Sequence, residues 1–257
     1  MTGSNGDGRN ATFRVLTYNI HRAIGLDRRF LPDRVAEVLR HHDADVVLLQ
    51  EVDRGAPRSQ QLDLASHLAR QLEYRYRAVG MNVYLRKGRY GNATLTRFPI
   101  GRQRNIDLSV RWMIRRGAQH TRIHVPFDGR SVDVDVFNMH LGLSAREREK
   151  QACRLLQSPD VAHLSDHCRS VIAGDTNDWR GLLTRRWFEP AGWSCATVDA
   201  ARRRAIRTFP SFAPAGALDR IYVRGRLRLL SVHRSRLSVA RVASDHLPVV
   251  AEFEILP

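Results

Sequence analysis

Carboxylates, amides and imidazoles close six apolar stretches of this chain, from Asn19 to His246. They are Asn19 in LTYNIH, Glu51 in VVLLQEVD, His140 in VFNMHLG, Asp175 with Asn177 in VIAGDTND, Asp219 in ALDRIYV, and Asp245 with His246 in ASDHLPVV. A buried polar group without a partner costs roughly 1–3 kcal/mol, so polar residues set directly behind apolar strands imply a shared site. The residue types specify its chemistry. Glu51 and Asp245, with the Asn19 amide, offer the oxygen ligands that Mg²⁺ prefers while leaving positions for water and a phosphate. Asp175 supplies a base to orient or deprotonate a water, and Asn177 an amide to hold a non-bridging oxygen. His140 and His246 can donate hydrogen bonds to developing charge, and Asp219 can fix the tautomer of one of them. The sum is water attack on phosphorus, helped by one metal. Each residue taken singly also has a purely structural explanation: the asparagines as turn caps, Asp219 as a partner of Arg220, His246 as a satisfied core histidine. Six such clusters at strand ends are not explained that way.

The elements that must position these residues follow from the apolar pattern. Thr12 to Tyr18 reads as a strand, Leu31 to His41 as a helix with Pro32 in its first turn, Asp45 to Leu49 as a buried strand, and Leu62 to Leu72 as a second helix with Leu64, Leu68 and Leu72 on one face. Successive antiparallel strands are expected around Asn82 to Arg86, Ala93 to Thr96, Arg115 to Val125 and Ser131 to Asn138. In the last of them Val132, Val134 and Val136 alternate with Asp133 and Asp135, which predicts one wet face. Ser144 and Glu147 form a capping box for a helix to Gln157. Strand Ser170 to Ala173, a helical Trp179 to Phe188, and strands Leu218 to Val223, Leu227 to His233 and Leu247 to Ile255 complete the chain.

With 257 residues, 43% of them hydrophobic, and no Pro/Gly/Ser-rich linker, residues 11–257 read as a single domain with its own core. Residues 1–10, MTGSNGDGRN, read as a flexible tail. Neither a signal peptide nor a membrane span is legible, so a cytoplasmic protein is expected. Cys153, Cys168 and Cys195 are odd in number and lack CxxC spacing, which argues against a disulfide framework or a zinc site and for buried small hydrophobes. The net charge of +16 favours an anionic partner, whether nucleic acid, phosphoinositide or an anionic membrane surface. All the basic residues except Lys87 and Lys150 are arginine, so codon bias is a competing explanation of the charge. Local groups lie at Arg28–Arg29, Arg111–Arg116, Arg185–Arg186 and Arg202–Arg207.

In their order along the chain, TYNIH, QEVD, YGNATLTRFP, NMHL, GDTND, LDRIYV and SDHLPV resemble the motifs of the endonuclease/exonuclease/phosphatase superfamily, which contains DNase I, abasic-site endonucleases, bacterial sphingomyelinases and inositol polyphosphate 5-phosphatases. The resemblance implies a four-layer α/β/β/α sandwich, two packed mixed β-sheets flanked by helices, with the site at one edge. It further implies that Glu51 is the principal Mg²⁺ ligand, Asn19 and Asp245 complete the metal shell, and Mn²⁺ can substitute. Asp175 would align the attacking water, Asn177 would hold the scissile phosphate, and His246, oriented by Asp219, would act on the phosphoryl group. His140 would contact the phosphate or assist the leaving group, and Asn92 would help line the pocket. DNase-like members carry a carboxylate just before the proline of the motif aligned with LTRFP; Phe98 stands there, so His140 is expected to lack a carboxylate partner.

The substrate is read less directly. GALDRIYV departs from the PxWCDR-like motif of the 5-phosphatases, while GDTN resembles the tyrosyl-DNA phosphodiesterase branch. A nuclease on DNA or RNA is the first expectation, a phospholipid or small-molecule phosphodiesterase of sphingomyelinase type the second, and a non-catalytic binding module the third.

Overall fold

The computed structural model describes residues 11–199 and 204–257. The expected tail at 1–10, and Arg202 and Arg203 of the last arginine group, lie outside the described residues. β1 (Thr12–Asn19), α1 (Pro32–His42), β2 (Val46–Arg54) and α2 (Leu64–Gln71) come first. A run of strands follows: β3 (Tyr76–Tyr84), β4 (Arg89–Thr96), β5 (Ile100–Asp107), β6 (Gly117–Phe127) and β7 (Arg130–His140). Then come α3 (Ala145–Gln157), α4 (Pro159–Ala162), β8 (Arg169–Asp175) and the short strands β9 (Ser194–Cys195), β10 (Val198–Asp199) and β11 (Arg204–Ala205). β12 (Asp219–Gly225), β13 (Leu227–Arg234), α5 (Ala240–Ala243) and β14 (Val249–Ile255) complete the fold.

Two six-stranded mixed sheets result, ordered β13-β14-β1-β2-β4-β3 and β5-β6-β7-β8-β12-β9. Alternation along each strand feeds three apolar layers. From β1, Phe13 and Val15 enter the core between the sheets, where they meet Ile123, Val134, Val171 and Ile221 of the second sheet. Leu16 and Tyr18 point the other way, into a layer completed by α1, α2 and α5. On the outer face of the second sheet, Phe137, Met139, Ile172 and Tyr222 pack under α3, α4 and the segment around Phe188. The expected four-layer sandwich is the observed one.

Each sheet holds one parallel pair, β1 with β2 and β7 with β8. Parallel strands in register end side by side, which sets Asn19 opposite Gln50 and His140 opposite Asp175. β12 runs the other way and starts with Asp219 opposite Asp175. β14 starts with Val249 opposite Thr17, so Asp245 and His246 just ahead of it reach the same edge.

Several local expectations are corrected. β5 was not foreseen: its IGRQRNID is almost wholly exposed, so it carries no apolar alternation, and its charges suit an edge strand. The stretch Trp179 to Phe188 is helical only from Leu182 onward, because Asp178 accepts a hydrogen bond from the Leu183 amide at 2.7 Å and Gly181 takes a φ of +64° before the turn begins. Asp133 faces solvent as expected, but Asp135 is buried. α4 covers that side and brings Asp160, so that His120 lies between Asp135 at 2.6 Å and Asp160 at 3.3 Å, with Arg122 adding two bonds to Asp135 at 3.0 Å. The three cysteines are partly buried rather than buried. Among the described residues no helix is long and apolar enough to cross a membrane.

A polar clasp joins the sheets beneath the shared edge. Gln50 donates through Nε2 to Asn138 Oδ1 at 2.8 Å, and Asn138 donates through Nδ2 to the Leu49 and Ala93 carbonyls at 3.0 Å each. Asn92 donates to the carbonyls of Gly117 and Asn138 at 3.0 and 2.9 Å, and Thr94 to Gln119 at 2.8 Å. Replacing Asn138 by Leu takes this donor from the Leu49 and Ala93 carbonyls and leaves Gln50 only Thr17 and the Leu48 carbonyl, an expected loss of about 2–4 kcal/mol in urea unfolding. A loss below about 1 kcal/mol would contradict this role for the clasp.

Acid sensitivity is built in elsewhere. Burial, with His41 and His233 nearby, lowers the His42 pKa to about 4, and its Nε2 is buried without a partner. The unfolded chain takes up that proton near pH 6.5. Between the two values the unfolded state binds more protons, so the stability this group contributes above about pH 6.5 is lost as the pH falls toward 4. His42→Gln should flatten the decline of the urea midpoint across that window; an unchanged slope would contradict it.

Candidate active site

Asp175 is the centre of the edge cluster. Gly174 sets it there: the glycine holds φ at +145°, and a Cβ on it would lie 1.8 Å from the Met139 carbonyl oxygen. The Asp175 carboxylate, 1% exposed, accepts from Asn19 Nδ2 at 3.0 Å and from the Asn177 amide at 2.9 Å. Two imidazoles approach its Oδ2, His140 through Nε2 at 3.5 Å and His246 through Nε2 at 3.6 Å. Asn177 adopts a left-handed backbone, φ +50°, and spends one amide hydrogen on the Leu141 carbonyl at 3.0 Å. Asn19, His140, Asp175, Asn177, Asp219 and His246 are thus brought together.

The two histidines are held in opposite states. His246 donates through Nδ1 to Asp219 Oδ2 at 2.9 Å, and Thr208 donates its hydroxyl to the same oxygen. Burial alone would lower the His246 pKa, but the carboxylates of Asp219 and Asp175 on either side raise it. Burial lowers the His140 pKa well below the usual histidine value, and the positive charges of Arg116 and His246 lower it further. Arg116 Nη1, which can only donate, sits 3.1 Å from His140 Nδ1. The ring is therefore a neutral imidazole with its proton on Nε2, toward Asp175. Burial also raises the Asp175 pKa against the pull of His246, which makes this carboxylate a better acceptor for a water proton.

His140 does not lack a carboxylate neighbour: Asp175 lies 3.5 Å from its Nε2, while Arg116 meets its Nδ1, and Phe98 is not at the site. Its ring packs edge-on against Phe13 at 6.4 Å, beyond the end of β4 where Thr96 pairs with Val46, at the opposite end of the sheet. Asn92 is buried, and its amide nitrogen is committed to the sheet–sheet clasp rather than to the pocket wall.

The expected metal ligands form a looser group. Ser244 donates to the Asn19 carbonyl at 2.7 Å and to Asp245 Oδ1 at 3.3 Å, which ties Asp245 to β1. Glu51 stands within β2 rather than after it, in a bulge where the pairing shifts between Leu49 and Val52 and its own φ is +57°. His21, Arg22 and Ala23 follow Asn19 as a left-handed turn and bring Arg22 Nε to 3.3 Å from Glu51 Oε2, without hydrogen-bond geometry. No hydrogen bond or ion pair joins Glu51 to Asn19 or Asp245 among the described residues. The all-oxygen donor set suits a hard cation, and in this structure the Arg22 guanidinium is the positive charge that stands beside Glu51. A second group that could hold a metal is Asp175, Asp219 and His246, whose ligand atoms lie within 4.8 Å of one another, although His246 Nδ1 is already bonded to Asp219.

Sequence reasoning missed Thr208, Arg22 and Arg116. Thr208 carries no signal in its neighbourhood. Arg116 was visible only as part of a basic run.

Sandwich and edge cluster together define a phosphoesterase class, and the chain belongs to the endonuclease/exonuclease/phosphatase family, whose model matches residues 16–246. Members of this family are hydrolases acting on phosphoesters, generally with a divalent metal. Uncharacterized protein YbhP of Escherichia coli K12 is 34% identical over 252 residues, covering 95% of this chain and 97% of that protein. The crystal structure of an endonuclease/exonuclease/phosphatase from Beutenbergia cavernae superposes with a TM-score of 0.81 at 24% identity, covering 96% of this chain and 72% of that one. D. rerio TDP2 complexed with a single-strand DNA product reaches 0.71 at 18% identity, covering 95% and 100% of the two chains. ANGEL2, a 2′,3′-cyclic phosphatase, reaches 0.68 at 17%, covering 96% of each. These structures share the DNase I-like fold with this chain.

Imidazole ¹⁵N shifts in the metal-free protein should report a neutral Nε2–H ring for His140 at pH 6 and a doubly protonated ring for His246 at pH 8. A His140 titration centred near the ordinary value of about 6.5 would contradict the assignment.

Proposed function

We propose that this protein is a divalent-metal phosphodiesterase, using Mg²⁺ with Mn²⁺ as a substitute, and that it cleaves nucleic acid. The observation that carries the reading is the buried Asp175 carboxylate, raised in proton affinity and set between a neutral and a cationic imidazole. Asp175 takes the proton of the attacking water, whose oxygen bonds to phosphorus as the leaving oxygen departs. His246, kept cationic by Asp219, donates to a non-bridging oxygen as charge builds, and His140 donates through Nε2. Asn177 uses its free amide hydrogen on the same phosphate. Glu51, Asn19 and Asp245 would hold the metal, with Arg22 giving way. When bound, it supplies Lewis-acid polarisation of the phosphoryl oxygen.

Nucleic acid is favoured over other phosphodiesters by the +16 charge and by TDP2 among the structural neighbours. A phospholipid substrate is the second reading. It is favoured by an exposed apolar tip between Arg111 and Arg115, where Trp112, Met113 and Ile114 are 99%, 48% and 54% exposed. Supercoiled DNA, single-stranded RNA and phospholipid vesicles, each with Mg²⁺ or EDTA, separate the two. Cutting of a nucleic acid that EDTA abolishes and Asp175→Asn lowers by about 10³-fold or more is the expected result. Turnover of vesicles alone would select the second reading, and near-wild-type rates for Asp175→Asn would refute the mechanism.

A further inference from the structure

A cleft of about 960 Å³ opens beside the edge cluster and is lined by six arginines, Arg180, Arg185, Arg204, Arg207, Arg220 and Arg234. They come from separate segments: the loop and turn after β8, the residues from β11 onward, and strands β12 and β13. Among the described residues none of the six forms an ion pair, and Glu189 is the only acidic residue of the lining. Elsewhere the arginines of this protein find carboxylates readily, as Arg58 does with Asp53 at 2.8 Å and Arg122 with Asp135 at 3.0 Å. Crowding six like charges without counter-charge is unfavourable unless an anion fills the space between them.

Arg220 gives this argument a second, independent support. It is 4% exposed, and its Nε and Nη1 are buried without a hydrogen-bond partner among the described residues. A buried guanidinium with unmet donors is costly on its own and is suited to a bidentate oxyanion. The cleft also leads to the catalytic edge. Trp179, 57% exposed on its wall, packs edge-on against Phe209 at 5.7 Å, and the Phe209 ring lies 5.0 Å from that of His246. Gly216 makes room for this indole, since a Cβ there would come within 2.8 Å of it.

We propose that the arginine cleft is a binding track for single-stranded nucleic acid leading away from the scissile phosphate, its phosphates paired with the arginines and one base stacked on Trp179. A single strand offers one negative charge per nucleotide together with flat bases, which matches arginines on several walls and a lone indole better than one isolated headgroup does. The assignment rests on the phosphodiesterase reading for its direction toward His246, but strand binding itself does not require turnover.

The test measures binding of 5′-fluorescein-labelled (dT)₁₂ by anisotropy in EDTA, so that hydrolysis cannot intervene. The variants are Arg180→Ala with Arg207→Ala, both exposed, and Trp179→Ala; the control is Arg40→Ala with Arg70→Ala, exposed on α1 and α2, with the same change in charge. Thermal unfolding checks each fold. The cleft pair should raise Kd about tenfold or more and lower the salt slope by about 1.4, as the loss of two phosphate contacts to a single strand requires. Trp179→Ala should raise Kd about fivefold or more, and the control pair less than twofold.

Equal weakening by the cleft and control pairs, or no binding by wild type, would overturn the proposal. So would a cleft pair that weakens binding to phosphatidylserine vesicles but not to (dT)₁₂. Hydrolysis of bis(p-nitrophenyl) phosphate by the wild-type protein with Mg²⁺ tests the catalytic reading separately. Activity there with cleft-independent (dT)₁₂ binding removes the track alone, whereas cleft-dependent binding without activity removes the catalytic reading and keeps the track.

Discussion

Everything at the active edge depends on the bond between Gln50 and Asn138. The two side chains are fully buried, so neither amide can be hydrated; Gln50 shares its amide hydrogens among Asn138, Thr17 and the Leu48 carbonyl, and of these bonds the one to Asn138 crosses to the second sheet. Apolar packing between the sheets has no comparable directionality; Val15 against Val134 would tolerate a small slide, whereas an amide pair tolerates almost none. The clasp thereby sets the first sheet, which carries Asn19 and Glu51, at one height against the second, which carries His140 and Asp175.

With the sheets locked, burial and charge order set the protonation states around Asp175. Water is excluded around Asp175, and exclusion alone would push both neighbouring histidines toward neutrality. What separates them is the partner on the far ring nitrogen. His246 has the Asp219 carboxylate on Nδ1 and is held cationic; His140 has the Arg116 guanidinium there and is held neutral. One anion and one cation, each a single residue behind the imidazoles, thus put two identical side chains in different protonation states.

The parts of this arrangement that were legible in the sequence are those that ride on regular strands. NMHL and GDTND end strands whose apolar runs announce them, and parallel pairing makes their ends neighbours without further information. The departures come where local structure is irregular or tertiary. Glu51 reads as a residue just past a strand, but the bulge keeps it inside one and turns its side chain by a backbone conformation that apolar pattern does not encode. Phe98 reads as a substitution at the site, yet it belongs to the far end of the inter-sheet core, because motif order says nothing about which end of a strand a residue occupies. Arg116 and Thr208 reach the histidines from other segments, and their partners are set only by folding. Arg220 follows Asp219 directly, yet alternation sends it to the opposite face, where it meets the arginine cleft instead of the catalytic cluster.

The strand order also governs when the site can come into being. β1 lies between β14 and β2, with Thr12 opposite Glu254, so an early strand of the chain must wait for the last one to be paired on both edges. Asn19 meets Asp175 across 156 residues of sequence, and Ser244 meets the Asn19 carbonyl across 225. Loop closure over such separations is slow relative to the forming of local hairpins such as β6–β7. During synthesis the hairpins of the middle region can assemble while β1 still exposes an open edge, and the Asp175 carboxylate acquires its dry, charged surroundings only once β14 is in place.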